Sequence, residues 1–420
     1  MFEISDNVRT LCAAAESELR GIFSNIEKTA EHCTEKVMAA FRRHSVSEAM
    51  FAGSTGYGYD DMGRAALERI YADVFGCESA LVRIGFVNGT HAISSALFGA
   101  LTPGQKLVSA VGAPYDTLRG VIGITGNYHG SLKMYGIGYA EAEPDGEGNP
   151  DIPEILRLCE DKSVGAVLIQ RSRGYSSRKS LSTAAILEIC RAVREVNDKI
   201  TIIADNCYGE FTEPDEPGGA GGADIICGSL IKNPGGGLAL TGGYVTGRTD
   251  MVERAAYRMT VPGIGGECGS TLGQNRSMFQ GLFMAPHTVA QSLKTAALCA
   301  KMMKEIGFET NPEWNEKRSD IIQMINFGDR VSVEAFCGAI QQASPVDSFV
   351  TPEAWPMPGY GCDVIMAAGT FVQGASIELS CDAPMREPYS AYLQGGLTYE
   401  SGKIGIMYAV GKILEKREKR

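Results

Sequence analysis

The chain has 420 residues, 44% of them hydrophobic, and a formal net charge of −11. That is enough apolar material for a large core and two domains, while the acidic balance argues against a general nucleic-acid binder, which needs basic surface to displace counterions. No apolar run approaches the roughly 18–20 residues that cross a bilayer, and the 51 glycines follow no collagen-like period.

Residues 6–44 place Val8, Leu11, Ala15, Leu19, Ile22 and Ile26 at helical spacing. This polar start lacks the basic and then apolar pattern of a signal peptide, so a cytoplasmic protein is expected. A loop rich in glycine and tyrosine follows, FAGSTGYGYDDMGR. RAALERIYADVF then sets Leu67, Ile70, Tyr71, Val74 and Phe75 on one helical stripe. ALVRIGF (80–86) predicts a buried strand that runs through Asn88-Gly89-Thr90 into a helix.

Strands and helices alternate from there. KLVSAV (106–111), VGAVLIQ (164–170), ITIIAD (200–205) and DIICGS (224–229) predict strands buried on both faces. A helix at 183–196 lies between two of them. The alternation implies an α/β fold with a largely parallel sheet. The segments 141–151 and 213–224 read as surface turns. A long helix at roughly 287–306 leads out of this domain. Beyond it, strands CDVIMAA and ASIELS mix with helices SVEAFCGAIQQAS and IGIMYAVGKILEKREKR, as in a smaller α+β domain. The expected division is an N-terminal helical segment 1–47, a large domain 48–285 and a C-terminal domain 286–420, with Glu415 to Arg420 a solvated helix end.

The strongest chemical signal is ITIIADNCYGEF followed by GADIICGSLIKNPGGG. One strand ends in Asp205, the next in Ser229, and Lys232 stands just beyond, before glycines 235–237. Ligands of open α/β sheets bind at the carboxyl ends of strands, so both side chains are expected at one rim. Pyridoxal 5'-phosphate (PLP) needs this pair: an amine to form a Schiff base, and a carboxylate to keep the pyridine nitrogen protonated. Singly, such residues are more often a turn cap and a solvated lysine; their order and context raise the pair above that.

Asn88-Gly89-Thr90 opens a helix, and unblocked amides there suit a phosphate. Ser229 adds a hydroxyl, with a plain strand-end turn an equal reading. Tyr115, in GAPYDTLRG, has the flat ring to stack on a cofactor, though alone it reads as an ordinary loop tyrosine. Tyr57, Tyr59 and Arg64 have the donors to bind phosphate across a subunit boundary, or form a solvated turn. Arg386 and Arg173, each directly after a predicted strand, are candidates for a substrate carboxylate, with Arg386 preferred and surface salt bridges the bland alternative.

Other chemistries lack support. GYGYDD and GIGG are not dinucleotide fingerprints, and no GxxxxGK[ST] loop occurs. The five histidines form neither HxH nor HExxH, so no metal site is expected. The twelve cysteines include no CxxC; Cys207, Cys227 and Cys268 are read as reduced small hydrophobes.

The order NGTHA, PYDT, ADNCYGEF, GAD and GSLIKNPGG resembles the Cys/Met-metabolism branch of PLP enzymes. In particular it is similar to the methionine gamma-lyase or cystathionine beta-lyase-related subgroup, sometimes linked to aluminium resistance. The resemblance runs from about Phe51 to the C-terminus, and Tyr-Gly-Tyr stands where the family has Tyr-x-Arg. It implies the aspartate-aminotransferase fold (fold type I), with a seven-stranded type of sheet in the large domain. It implies Lys232 as Schiff-base lysine and Asp205 as pyridinium partner. Gly89, Thr90 and Ser229 would hold phosphate, Tyr115 would stack, and Tyr57 or Tyr59 would reach a neighbouring subunit's phosphate. The implied enzyme is a homodimer or homotetramer with active sites at the subunit interface. Lys232, its pKa lowered by its surroundings, would take the Cα proton of an amino-acid substrate, and Tyr115 would assist at the leaving sulfur. The implied reaction is β- or γ-elimination from a methionine- or cystathionine-like substrate to a thiol, a 2-oxo acid and ammonia. Transamination, aldol cleavage or a non-catalytic stress-response role on the same scaffold are the rival readings.

Overall fold

The structure, a computed structural model, describes residues 2–357 and 360–418. Lys419 and Arg420, counted in the expected solvated tail, lie outside them. Polar caps start the early helices: Ser5 for α1 (Asp6–Arg43), Asp61 for α2 (Met62–Val74) and, after β1 (Ser79–Arg83), Asn88 for α3 (Gly89–Ala100). Then come β2 (Lys106–Ser109), α4 (Asp116–Ile122), β3 (Gly138–Glu141), α5 (Ile152–Cys159) and β4 (Val164–Gln170). Ser182 caps α6 (Thr183–Val196), which leads to β5 (Thr201–Asp205), β6 (Ile225–Ser229), β7 (Gly243–Gly247), α7 (Thr249–Met259) and α8 (Asn275–Glu305).

The first sheet has the order β1-β7-β6-β5-β4-β2-β3. β6, β5, β4, β2 and β3 pair in parallel, and β7 runs antiparallel to both β6 and β1. The sheet is therefore mixed. β7 escaped the sequence reading because GYVTG has two glycines and no apolar run, and β3 because GYAE is a half-buried edge. Gln170, Asp205 and Ser229 end neighbouring parallel strands and so share one rim.

The second sheet joins β8 (Glu309–Asn311), β9 (Gln323–Asn326), β10 (Trp355–Pro356), β11 (Asp363–Ala368), β12 (Ser380–Pro384) and β13 (Ser390–Gln394) in the order β10-β11-β12-β13-β9-β8, antiparallel throughout. α9 (Arg330–Ala343) and α10 (Tyr399–Glu418) cover one face, where Ile365, Ala367, Cys381, Ala383, Ala391 and Leu393 are buried. Side chains alternate along a strand, so the intervening residues look the other way, towards the rim of the first sheet.

Two expectations need correction. ASIELS is not a strand. The Glu378 carboxylate accepts hydrogen bonds from the Phe371 and Val372 amides at 2.8 and 3.0 Å, which folds the segment into a loop, and β12 begins only at Ser380. The long helix begins at Asn275, not near 287, and passes through Pro286. A proline removes one helical hydrogen bond, but Leu282, Ala285 and Val289 are fully buried around it and hold the helix. The boundary expected between 285 and 286 thus falls inside α8. Met278 to Leu293 pack in the core of the first sheet, and Ala297 to Met303 in that of the second. α1 is shared likewise: Val8 to Leu19 join the second core and Cys33 to Ala40 the first.

Arg171, one residue past β4, is fully buried. Its guanidinium pairs with Glu213 at 2.9 Å and Glu216 at 3.3 Å, and donates to Asn206 at 2.8 Å. Glu213 also accepts from the Thr183 amide at the start of α6. One buried cation thereby pins the loop after Asp205 to the rim. Removing it leaves Glu216 without its cation and Glu213 with Lys317 alone, and breaking buried pairs costs about 3–5 kcal/mol. Arg171→Ala should therefore lower the denaturant midpoint sharply; a midpoint equal to the parent's would show that the network is not structural.

Candidate active site

The chain leaves β6 at Ser229 and turns back at once, with the Lys232 amide donating to the Ser229 carbonyl at 3.4 Å. A tight turn at Asn233–Gly235 follows. Gly235 has no room for a side chain: a Cβ there would stand 1.7 Å from the Leu230 carbonyl oxygen. The Asn233 side-chain Nδ2 donates to the Glu210 carbonyl at 2.9 Å, tying this turn to the loop that follows Asp205. The turn leaves Lys232 in a cavity of about 600 Å³ that Gly89, Thr90, Tyr115, Asp205 and Ser229 also line.

Lys232 Nζ lies 3.9 Å above the centre of the Tyr208 ring, a cation–π contact. Burial alone would lower its pKa, but Cys207, Tyr208, Asp205 and Tyr115 surround it, and their fields hold it well above the ordinary lysine value. Its neighbours are groups that favour a cation. Burial raises the Asp205 carboxyl; Lys232 and the hydrogen bond from the Cys207 amide at 3.1 Å pull against that rise without cancelling it.

At the other end of the cavity, the Asn88 side chain accepts from the His91 amide at 2.9 Å and so starts α3. Gly89 leaves little room for a side chain: a Cβ would come within 3.1 Å of Ser229 Cβ and 3.3 Å of Cys207 Sγ. The Tyr115 hydroxyl donates to Thr90 Oγ1 at 2.8 Å. Burial and the nearby Asp205 push the Tyr115 phenol upwards, so it keeps its proton. A helix start, two hydroxyls, a lysine and an acid in one cavity form a donor set that fits an anionic group bonded to a protonatable heterocycle.

The two tyrosines of the N-terminal loop stand apart. Tyr57 and Tyr59 are 78% and 57% exposed, their rings 5.8 Å from each other, and neither lines the Lys232 cavity of its own chain. Arg64 is not free for phosphate. It is buried, and its guanidinium donates to the carbonyls of Gly58, Gly269 and Glu267.

Arg173 and Arg386 are brought together. Both line a neighbouring cavity of about 340 Å³, which shares Tyr115, Gln170, Tyr175 and Tyr392 with the first. Arg386 is exposed, whereas Arg173 is buried, fixed by the Asn311 carbonyl at 3.0 Å, and keeps an unpartnered Nε.

Several site residues were missed from sequence. Tyr208 lies within ADNCYGEF and carries φ +74, the left-handed region that a tyrosine rarely adopts and that often marks a functional loop. Gln170 accepts from the Tyr115 amide at 2.8 Å and so positions that loop. Asp382, Tyr392 and Gln394 line the cavity from the second sheet. Nothing local in the sequence marks them, because only strand pairing puts them side by side. Among the described residues no three histidine, cysteine or acidic side chains gather as a metal site, and no helix is long and apolar enough to cross a membrane.

Comparison with known proteins places the chain in a family. The family model for methionine gamma-lyase matches residues 8–414. A Bacillus subtilis (strain 168) protein, uncharacterized and called YnbB, is 50% identical over 403 residues, covering 96% of this chain and 95% of its own. The crystal structure of a carbon-sulfur lyase involved in aluminum resistance from Clostridium novyi NT is 51% identical, covers 98% of this chain and 96% of its own, and superposes with a TM-score of 0.94. The pyridoxal-5'-phosphate dependent protein YhfS from Escherichia coli shares only 17% identity, with 93% and 97% of the two chains covered, and its TM-score of 0.63 shows likeness of fold alone. The chain therefore belongs to the methionine gamma-lyase family, a family of lyases.

Proposed function

We propose that this chain is a PLP-dependent carbon–sulfur lyase of fold type I. It would act on a sulfur-containing amino acid, methionine- or cystathionine-like, by β- or γ-elimination to a thiol, a 2-oxo acid and ammonia. The observation that carries this reading is the shared cavity: Lys232 and Asp205 at neighbouring strand ends, facing the glycine-opened start of α3.

The residues present fit the cofactor. Lys232 would hold it covalently, Asp205 would face its ring nitrogen, and Gly89, Thr90 and Ser229 would take the phosphate. Tyr115 would lie against the ring. When bound, PLP supplies an electron sink for the bond broken at Cα. The chain's own groups then do the proton work. The Lys232 amine takes the Cα proton, and the Tyr115 phenol, which burial keeps protonated, donates to the departing sulfur. Water completes the release of 2-oxo acid and ammonia.

Arg173 and Arg386 serve the substrate carboxylate. Arg173 is the better prepared, because its guanidinium is already fixed and desolvated. The exposed pair Tyr57 and Tyr59 fits a homodimer or homotetramer in which each subunit lends a tyrosine to its neighbour's phosphate site. A cytoplasmic setting agrees with the twelve free cysteines, nine of them buried.

Purified protein should show the visible absorption of a lysine-bound PLP, and Lys232→Ala should lose both that band and thiol release from methionine or cystathionine. An unchanged spectrum would remove the lysine assignment; glycine and aldehyde, or amino transfer to a 2-oxo acid, would replace elimination by a rival reaction. Arg173→Ala should raise KM about ten- to hundredfold, as for loss of a charge-assisted pair, and Arg386→Ala less; the opposite order would return the carboxylate to Arg386. Mixed and reassociated Lys232→Ala and Tyr57→Ala/Tyr59→Ala subunits should recover activity that neither has alone, and no recovery would place the tyrosines outside the neighbour's site.

A further inference from the structure

The wall of the Lys232 cavity opposite the rim comes from the second sheet, and its chemistry is one-sided. Ser380 and Asp382 alternate along β12, and Tyr392 and Gln394 along β13. Ser380 pairs with Gln394 and Asp382 with Tyr392 across the two strands, so all four side chains share one face. All four line the cavity.

The Gln394 amide nitrogen donates to Asp382 Oδ2 at 2.8 Å, and the Tyr175 hydroxyl is hydrogen-bonded to the same carboxylate. Neither donor carries a charge. Two donors leave lone pairs of the carboxylate unused. Gln394 Oε1 and Ser380 Oγ are also buried and have no hydrogen-bond partner, and both residues are 5% exposed. What this wall lacks is therefore a cation of its own, and what it holds in excess is acceptor capacity and negative charge. Burial pushes the Asp382 carboxyl up to about 6, and Lys232 is the cation whose field opposes that rise. A carboxylate enclosed with only neutral hydrogen-bond donors beside it is costly, and a cation placed against it relieves that cost.

Resting on the lyase reading above, we infer that Asp382, with Gln394 Oε1 and Ser380 Oγ, forms a subsite for a second ammonium on the substrate, distal to the amine that meets Lys232. The substrate class is then a thioether amino acid bearing two ammonium groups. Methionine, with a bare methyl beyond its sulfur, offers this wall nothing. The arginine-lined cavity next door shares Tyr392 with this wall, so the acceptors for an ammonium and the donors for a carboxylate stand beside each other without neutralising one another.

The test compares cystathionine with its analogue carrying hydrogen in place of the distal ammonium. Wild-type holoenzyme should favour cystathionine in kcat/KM by about tenfold or more, which corresponds to about 1.4 kcal/mol. Asp382→Asn, which keeps the shape and removes the charge, should bring that ratio close to one. Equilibrium dialysis of both thioethers with Lys232→Ala protein should show the same preference in Kd without turnover. Equal handling of the two thioethers by the wild type, or an undiminished preference in Asp382→Asn, overturns the subsite. Failure to release thiol from either one counts against the lyase reading instead, and the dialysis ratio then still decides the subsite.

Discussion

The buried Arg171 guanidinium is the constraint from which the site's geometry follows. It stands where β4 ends and is held by Glu213, Glu216 and Asn206, all from the segment beyond β5. Burial alone would raise Glu213, but Arg171 and Lys317 hold it below the ordinary carboxylate range. The packing around the guanidinium is close: a Cβ on Gly209 would lie 2.3 Å from Arg171 Cδ. The loop is thereby folded back on the rim with Tyr208 at its start. That residue adopts the left-handed backbone and lays its ring under Lys232. A buried ion pair contributes little net stability over an apolar equivalent; what it supplies here is a fixed path for the chain between Asp205 and the tyrosine.

The second wall is fixed by other means. α1 and α8 each bury residues in both cores, so the second sheet is not a separate body on a hinge. Its cavity-facing side chains are set against the rim by continuous helical packing. Contacts across the gap reinforce this: the Tyr392 hydroxyl donates to the Tyr175 carbonyl at 2.9 Å, and the Ser172 hydroxyl to Asp320 at 3.0 Å. A sheet that is apolar on one face and polar on the other can pack on helices with the first while the second is reserved for ligands.

How much of this was legible depends on whether the signal was local. The strand at 164–170 and the helix at 183–196 were read to the residue, because one is an unbroken apolar run and the other an amphipathic stretch behind a serine cap. Asp205, Ser229 and Lys232 were legible as neighbours, because a residue just past a buried parallel strand has one rim to occupy. The helix start at Asn275 was hidden by Pro286, an ordinary stop signal that packing overrides here. ASIELS has the alternation of a strand, but Glu378 spends its carboxylate on the backbone of residues 371 and 372, a choice that no local pattern reveals. Arg171 was invisible for a similar reason: Asn206 and its two acidic partners lie more than thirty residues away, beyond a whole helix.

The sign of the Lys232 shift shows why burial alone is a poor guide to a catalytic lysine. An enclosed amine is usually expected to lose its proton readily, since low dielectric disfavours the charge. Here the enclosing groups are an acid, two phenols and a thiol, each of which favours the ammonium when it ionises, and the balance goes against desolvation. The same groups respond in the opposite direction: the phenol of Tyr115 and the thiol of Cys207 are raised and so remain neutral, with burial the largest cause in each. A cavity that holds its amine charged and its phenol protonated keeps the amine from reacting until that charge is discharged into a bond. The tyrosine meanwhile retains a proton to give. On the proposed lyase reading, one electrostatic arrangement would thereby give the acid and base roles to different residues.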